Sequence, residues 1–161
     1  MKKYLCGLVL LLALGVTASA QDLNTLIAEL AKVDNVQHQV IDKEMLKPAV
    51  EQAKNQMGSN FMEKIEEIEV AAFENYPAEI KDKVLNTVEE VKKANLYETL
   101  LSVKDKENNV TIFAKKDKDI ISEVFIVVVD DEDAVVVKMS GSLSESDLNE
   151  IINEQKKNFK Q

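Results

Sequence analysis

The second half of the chain carries four short runs that are rich in β-branched residues. Charged or polar turn residues bound each run, a pattern that is typical of strands joined by hairpins. We therefore predict an antiparallel meander against which the rest of the chain packs. Its strands are expected at Leu100–Val103, Val110–Ala114, Ile120–Val129 and Ala134–Met139.

Upstream of the meander, apolar residues recur three and four positions apart, which is the spacing of one helix face. This spacing predicts a first helix that begins at Leu23 and ends near residues 32–35, and a short strand follows over Val36–Ile41. Asp42 is suited to cap the next helix. Because proline has no N–H to donate, that helix is expected to restart or kink at Pro48, and it closes at Gly58.

The segment 61–73 is ambiguous, because its apolar residues fit both the helix and the strand spacing. A helical turn followed by a strand over Ile65–Phe73 is the interpretation that we favour. A clear apolar stripe predicts a helix over residues 77–95. Ser144 and Asp147 resemble a capping box and predict the start of a last helix.

Together these elements predict the α+β class. We expect an antiparallel sheet of about five or six strands, helices packed mainly on one face of it, and a C-terminal helix. The length suits one domain, which we place at residues 21–161 with a short polar tail from Asn153 onward. No internal repeat or linker divides this part of the sequence.

The last hairpin sets the two faces of the predicted sheet. If Asp130–Asp133 is the loop, Val129 lies opposite Ala134. One face is then wholly apolar, so that helices are expected to cover it, and it carries Val124, Ile126, Val128, Val135, Val137 and Met139. The other face is mixed and carries Glu123, Phe125, Val127, Val129, Val136 and Lys138.

The mixed face has two interpretations. Either another helix or the region around Phe61 covers it, or it stays exposed for a protein partner or a second copy of the chain. In the second case the candidate interaction face consists of Phe125, Val127, Val129, Val136 and Lys138. The length of the turn at Lys116–Asp119 leaves open which neighbours join the wholly apolar face, Val110 with Ile112 or Thr111 with Phe113.

Residues 1–20 have the organisation of a secretory signal peptide. Two lysines precede an apolar run, and Ala18-Ser19-Ala20 matches a cleavage site before Gln21. The apolar run is shorter than the roughly 20 residues that span a bilayer, so no stable membrane anchor is expected after cleavage. We predict export to the periplasm or the cell surface. Cleavage also removes Cys6, the only cysteine, and with it any disulfide or thiol chemistry.

The charge balance excludes several partners. The formal net charge is -9, and every basic residue is a lysine. An acidic surface repels phosphate backbones and anionic lipids, so nucleic-acid binding is not expected. The forked guanidinium that grips phosphates in pairs is missing altogether. We predict no cofactor.

Candidate catalytic and metal-binding residues are few. His38 is the only histidine, and with no cysteine left after cleavage it cannot complete a zinc site. Nothing in the sequence around it builds a nucleophile for a serine–histidine–aspartate triad. The acidic run Asp130–Asp133 lacks the glycine and distal glutamate of a calcium loop. Glu66, Glu67 and Glu69 form a run that is more typical of a solvated edge than of a glycosidase pair. We therefore predict that the protein is not an enzyme.

Four stretches resemble a bacterial family known as domain of unknown function 4252. They are residues 40–47, 96–104, 121–128 and 139–143, and they span most of the chain after the leader, in order. The resemblance implies the fold of that family, and it implies an exported protein of Bacteroidetes. The family has no established function or catalytic residues, so the resemblance assigns none here.

Two functions follow as hypotheses. The first is a non-enzymatic module that acts through protein–protein contact in the cell envelope. The second is a carrier of a small apolar ligand that is held between the sheet and the helices, lined by adaptable side chains. The candidates for that lining are Met57, Met62, Met139, Phe61, Phe73 and Phe113.

Overall fold

The computed structural model describes residues 22–57, 61–105 and 108–158. Within them the strands are β1 (Gln37–Asp42), β2 (Ile65–Glu74), β3 (Glu98–Lys104), β4 (Asn109–Asp117), β5 (Ile120–Val129) and β6 (Asp133–Leu143). The helices are α1 (Leu23–Leu30), α2 (Lys43–Met57), α3 (Ala78–Ala94) and α4 (Glu145–Asn158), and a short 3-10 turn (Phe61–Lys64) precedes β2.

The described strands form one six-stranded sheet in the order β1-β2-β6-β5-β4-β3, and all neighbours are antiparallel. The meander of β3 to β6 is confirmed. The sheet continues beyond β6, where β2 pairs with β6 and β1 pairs with β2. Val129 does pair with Ala134. Val110 pairs with Val128 and Ile112 with Ile126, so Val110 and Ile112 join the wholly apolar face.

The α+β class, the antiparallel meander and the C-terminal helix are confirmed, and helices flank both faces of the sheet rather than mainly one. On the first face, α1 and α3 pack over aromatic and aliphatic residues such as Phe113, Phe125 and Val136. On the second face, α2, α4 and the 3-10 turn pack over residues such as Ile112 and Met139. We call these the α1/α3 face and the α2/α4 face.

Local sequence signals place the helix ends. The Asp42 carboxylate accepts a hydrogen bond from the backbone N–H of Met45 at 3.0 Å, as expected of a cap. Asn95 ends α3 in the left-handed conformation, with φ of 56°, a conformation that asparagine tolerates. Pro48 does not divide the second helix, because α2 runs through it as one helix from Lys43 to Met57. The expected end at Gly58 lies outside the described residues.

Near the sheet end where β2 begins, two chain segments approach very closely. The backbone of β6 at Gly141 lies against the carbonyl of Lys64, and a Cβ atom at Gly141 would stand only 2.2 Å from that oxygen. The Lys64 ammonium donates to both carboxylate oxygens of Asp147, at 2.9 and 2.7 Å. Gly141 and this ion pair together join the start of β2 to β6 and α4.

The C-terminal helix is longer than the sequence indicated. Ser144 and Asp147 form the expected capping box, with the Ser144 N–H donating to Asp147 at 2.7 Å. However, α4 continues to Asn158 and so takes in most of the stretch that was expected to be a polar tail. Among the described residues, no helix is both long and apolar enough to span a membrane.

Candidate interaction surfaces

The predicted interaction face lies in the core and not on the surface. Four of its five members, Phe125, Val127, Val129 and Val136, are buried under α1 and α3. Only Lys138, at the margin of the helices, keeps partial exposure. The alternative that a helix covers the mixed face is therefore the one that the structure shows. The physical reason is that α1 and α3 carry apolar stripes of their own, which must be buried against a sheet face.

Glu123, a polar member of the mixed face, contacts α1. Asn24 of α1 donates to the Tyr97 hydroxyl at 3.3 Å and to the Glu123 carboxylate at 3.0 Å. The Tyr97 ring packs edge-on against Phe125 at 5.6 Å and Phe113 at 6.3 Å between ring centres. Burial, aided by the negative charges of Glu123 and Asp22, raises the pKa of Tyr97 to about 12. The cluster of Asn24, Tyr97 and Glu123 fastens α1 to the sheet and is not an accessible site.

The α2/α4 face, expected to be fully covered, is the more open of the two. Its central residues Ile112 and Val124 are buried, whereas Ile68, Val128 and Val137 are only partly buried. At its β3 margin, Val103 is 46% exposed. Aliphatic surface therefore remains accessible on the face that the sequence marked as wholly apolar.

A mainly apolar surface cleft lies beside this face, between α2 and the 3-10 turn. Its volume is 280 Å³. Apolar side chains from both elements and from the start of β2 form its floor, and charged side chains of both signs form its rim. The floor consists of Leu46, Val50, Met62 and Ile65, and the rim of Lys43, Lys47, Glu51 and Glu63. We call this the α2 cleft.

The α2 cleft was not identified from the sequence, although part of the signal is visible there. Leu46 and Val50 are four residues apart and so share one helix face. The spacing does not predict the opposite wall of the cleft. Met62, which forms part of that wall, belongs to a segment that only the tertiary fold brings alongside α2. Of the residues expected to line a ligand cavity whose side chains the structure describes, only Met62 lines this cleft. Phe61, Phe73, Phe113 and Met139 are buried in the core, and the side chain of Met57 lies outside the described set.

His38 and the acidic run of β2 meet at the edge of the sheet. The His38 Nε2 atom lies 2.9 Å from Glu69 Oε1, so that the imidazole and the carboxylate form a cross-strand pair between the outer strand β1 and its neighbour β2. Glu67 and Glu69 both belong to β2, where residues two apart share a face. Two carboxylates on one strand do not face each other across a cleft as glycoside hydrolysis requires.

The acidic turn between β5 and β6 uses its side chains on its own backbone. One oxygen of Asp130 accepts from the N–H groups of Glu132 at 2.8 Å and Asp133 at 2.6 Å. Asp131 forms an ion pair with Lys81 at 2.8 Å, and the Tyr76 hydroxyl donates to the Asp130 carbonyl at 2.7 Å. In the part of the chain that the structure describes, no three histidine, cysteine or carboxylate side chains converge to hold a metal ion.

Comparison with known proteins places the chain in a family. A family model described as domain of unknown function (DUF4252) matches residues 30–151, which run from the end of α1 into α4 and include every described strand. No curated protein and no solved structure matches the chain. With the greater part of its length matched, the chain belongs to the family DUF4252, whose function is unknown.

Proposed function

We propose that this domain is an exported, non-enzymatic module that binds another protein in the cell envelope, and that it does so through the α2 cleft. The observation that carries the proposal is the composition of that cleft. Its floor is apolar, with Val50 and Met62 partly exposed above the buried Leu46 and Ile65, and charges rim it. An apolar floor inside a polar rim is the anatomy of protein interfaces, and methionine adapts to irregular partner surfaces.

The size of the cleft favours side chains of a protein over a whole small molecule. Pockets that enclose drug-sized ligands have volumes of roughly 300–1,000 Å³, whereas the α2 cleft measures 280 Å³ and is open. It suits one or two apolar side chains of a partner. The space between sheet and helices, where a carrier would hold its cargo, is instead occupied by fully buried side chains such as Phe113, Phe125 and Ile112.

The rim indicates the chemistry of the partner. Lys43 and Glu51 lie at opposite ends of the rim on α2, and eight residues of helix separate them by about 12 Å. A matching partner segment carries an acidic residue that reaches Lys43, a basic residue that reaches Glu51, and apolar side chains between them. An amphipathic helix of two to three turns supplies this spacing.

Photo-crosslinking in the native cell tests the cleft. A genetically encoded photo-crosslinker at Lys47, on the rim, is expected to capture one defined protein, whereas the same group at the exposed Gln52 of α2 is the matched control. The captured protein is then purified and its affinity measured. Val50→Glu in the floor should weaken binding at least tenfold, because it buries a carboxylate against apolar side chains, and Gln52→Glu should not. Equal capture at both positions, or equal affinity of both variants, would refute the proposal that the partner binds in the α2 cleft.

The same variants separate the proposed module from the carrier. Native mass spectrometry of the protein, purified gently after expression of the full chain, reports any small molecule bound to it. A bound mass that Val50→Glu removes would favour the carrier of an apolar ligand over protein binding.

Export is tested independently of binding. Cleavage before Gln21 would leave the mature chain in the periplasmic or surface fraction without a membrane anchor. N-terminal sequencing of the protein from fractionated cells should begin at Gln21. A protein that retains Met1 in the cytoplasm would contradict export.

A further inference from the structure

The two outer strands of the sheet differ in how they are protected against pairing with another strand. In β3, the register shifts between Thr99 and Leu101, which marks a bulge, and a lysine ends the strand. Bulges and lysines are devices by which edge strands discourage sheet-to-sheet pairing. The other outer strand, β1, pairs with β2 in unbroken register over all its residues and contains neither lysine nor proline.

The sequence of β1 is also complementary to itself. In an antiparallel pair of two copies, a two-fold axis at Val40 places residues whose numbers sum to 80 opposite each other. His38 then faces Asp42 of the second copy, and Val40 faces Val40 of the second copy. Because His38, Val40 and Asp42 alternate along the strand, all three point to the same side of the sheet. We infer that β1 is a homodimer interface that joins two sheets edge to edge around Val40.

The exposure of the strand suits this contact. Val40 is 44% exposed and lies between the polar His38 and Asp42 on its side of the strand, and the axis would bury it against its own copy. Asp42 is exposed and caps α2 through one carboxylate oxygen, which leaves the other for His38 of the second copy. Glu69 already contacts His38 at 2.9 Å, so that the imidazole would lie between two carboxylates.

The strength of the contact follows from its size and charge. Six residues of strand extend over about 20 Å, and such an edge buries less than the roughly 800 Å² per partner of a standard interface. Each chain has a formal net charge of -9, but at physiological salt charges more than about 8 Å apart are largely screened. A weak, concentration-dependent dimer is therefore expected. This inference does not depend on the α2 cleft, which lies on the other side of the sheet from Val40.

Sedimentation equilibrium over a wide concentration range tests the dimer, with the protein purified after expression of the full chain. Val40→Lys places two ammonium groups face to face at the axis and should raise the dimer dissociation constant at least tenfold. Val103→Lys is the matched control, since Val103 is 46% exposed on the opposite outer strand. It should leave the constant unchanged. A monomer at every concentration, or an equal effect of the two variants, would overturn the inference.

A cysteine at the axis tests the register itself. Residues directly opposite in an antiparallel pair have Cα atoms about 4.5–5.5 Å apart, within disulfide reach. Under mild oxidation, Val40→Cys in a Cys6→Ser background should cross-link to a dimer much faster than Val103→Cys in the same background. Equal cross-linking rates would show that collisions, and not a β1 pair, bring the chains together.

Discussion

The two faces of the sheet differ in how completely they are closed. On the α1/α3 face, Phe113, Phe125 and Val136 are fully buried, and Tyr97 packs edge-on against both rings. On the α2/α4 face, aliphatic side chains predominate and several stay partly exposed at the margins. The α1/α3 face is therefore closely packed, while the α2/α4 face retains accessible apolar surface.

On the α2/α4 face, where packing is less complete, specific polar and backbone contacts hold the helices to the sheet. The Lys64–Asp147 pair and the close approach at Gly141 fasten the 3-10 turn and α4 to the sheet. The two faces therefore depend on different interactions. The α1/α3 face depends on the close packing of large buried side chains, and the α2/α4 face depends more on a few polar and backbone contacts such as those of Lys64 with Asp147 and Gly141.

The largest effect is expected from a cavity in the α1/α3 face. Phe125→Ala should lower the free energy of unfolding by about 4 kcal/mol, because the ring is fully buried among Tyr97 and Phe113. Val137→Ala, on the partly exposed margin of the other face, should cost only about 1 kcal/mol. Urea unfolding of both variants measures the difference. Similar losses would show that the two faces are closed to the same degree.

A smaller loss of stability is expected at Gly141, where the backbones of β6 and Lys64 approach closely. Gly141→Ala places a Cβ atom 2.2 Å from the Lys64 carbonyl oxygen, and this backbone atom cannot rotate away as a side chain would. We expect a loss of about 2–3 kcal/mol. Ser142→Ala, at the exposed neighbouring position of β6, is the control and should change stability by less than about 0.5 kcal/mol. A Gly141→Ala protein as stable as the control would mean that the strands separate there without cost.

The sequence predicts most of the fold, because its strand and helix signals are local. The register of the last hairpin follows from the acidic turn, and the stripe of α3 follows from its spacing. Even the ambiguous segment 61–73 folds as favoured, with the 3-10 turn before β2. The continuous α2 shows the limit of a local rule. Pro48 is the sixth residue of α2, so it removes the backbone N–H that would pair with the Glu44 carbonyl. The helix nevertheless continues on both sides of it, because one lost hydrogen bond does not outweigh the remaining turns of a 15-residue helix.

The surface could not be predicted in the same way, since it depends on which helix covers which face. The presence of Glu123 and Lys138 suggests a half-solvated face, but both residues keep only partial exposure, while Phe125 and Val127 of the same face are buried under α1 and α3. The wholly apolar face gave no sign that α2 and α4 would cover it only in part. Coverage is a tertiary property, and the periodicity of a strand does not contain it.

A moderate, pH-dependent effect is expected at the Lys64–Asp147 ion pair of the α2/α4 face. Burial alone would raise the pKa of the Asp147 carboxyl, but the hydrogen bonds from Lys64 and Ser144 outweigh it and lower that pKa below its ordinary value. A carboxyl with a lowered pKa in the folded state stabilises the protein above its unfolded-state pKa, and this stability is lost as the pH falls through the folded-state value. Asp147→Asn should therefore cost about 1–2 kcal/mol at neutral pH.

The acid limb of the stability curve checks this ion pair. Wild type should lose stability below about pH 4 more steeply than Asp147→Asn, which has no carboxyl to protonate at this position. Asp131→Asn is the control, because Asp131 pairs with Lys81 while its own side chain is 78% exposed, and exposed pairs contribute little. If stability falls equally steeply with acid in Asp147→Asn and wild type, the Lys64–Asp147 ion pair does not stabilise the α2/α4 face.

The smallest loss of stability at neutral pH is expected from Tyr97, which contacts Asn24 of α1 at the edge of the α1/α3 face. Tyr97 has a pKa raised to about 12, first by burial and then by the charges of Glu123 and Asp22. An acid whose pKa is raised in the folded state stabilises the protein fully below its unfolded-state pKa of about 10, and the contribution is lost as the pH rises toward 12. Tyr97→Phe keeps the ring packing and loses only the hydroxyl contact with Asn24, so we expect a loss of at most about 1 kcal/mol at pH 7. Its stability should then stay flatter than that of wild type between pH 10 and 12, as measured by urea unfolding. If wild type and Tyr97→Phe lose stability equally in this range, Tyr97 is hydrated in the folded protein, and the α1/α3 face is less closed at this rim than the packing of its rings indicates.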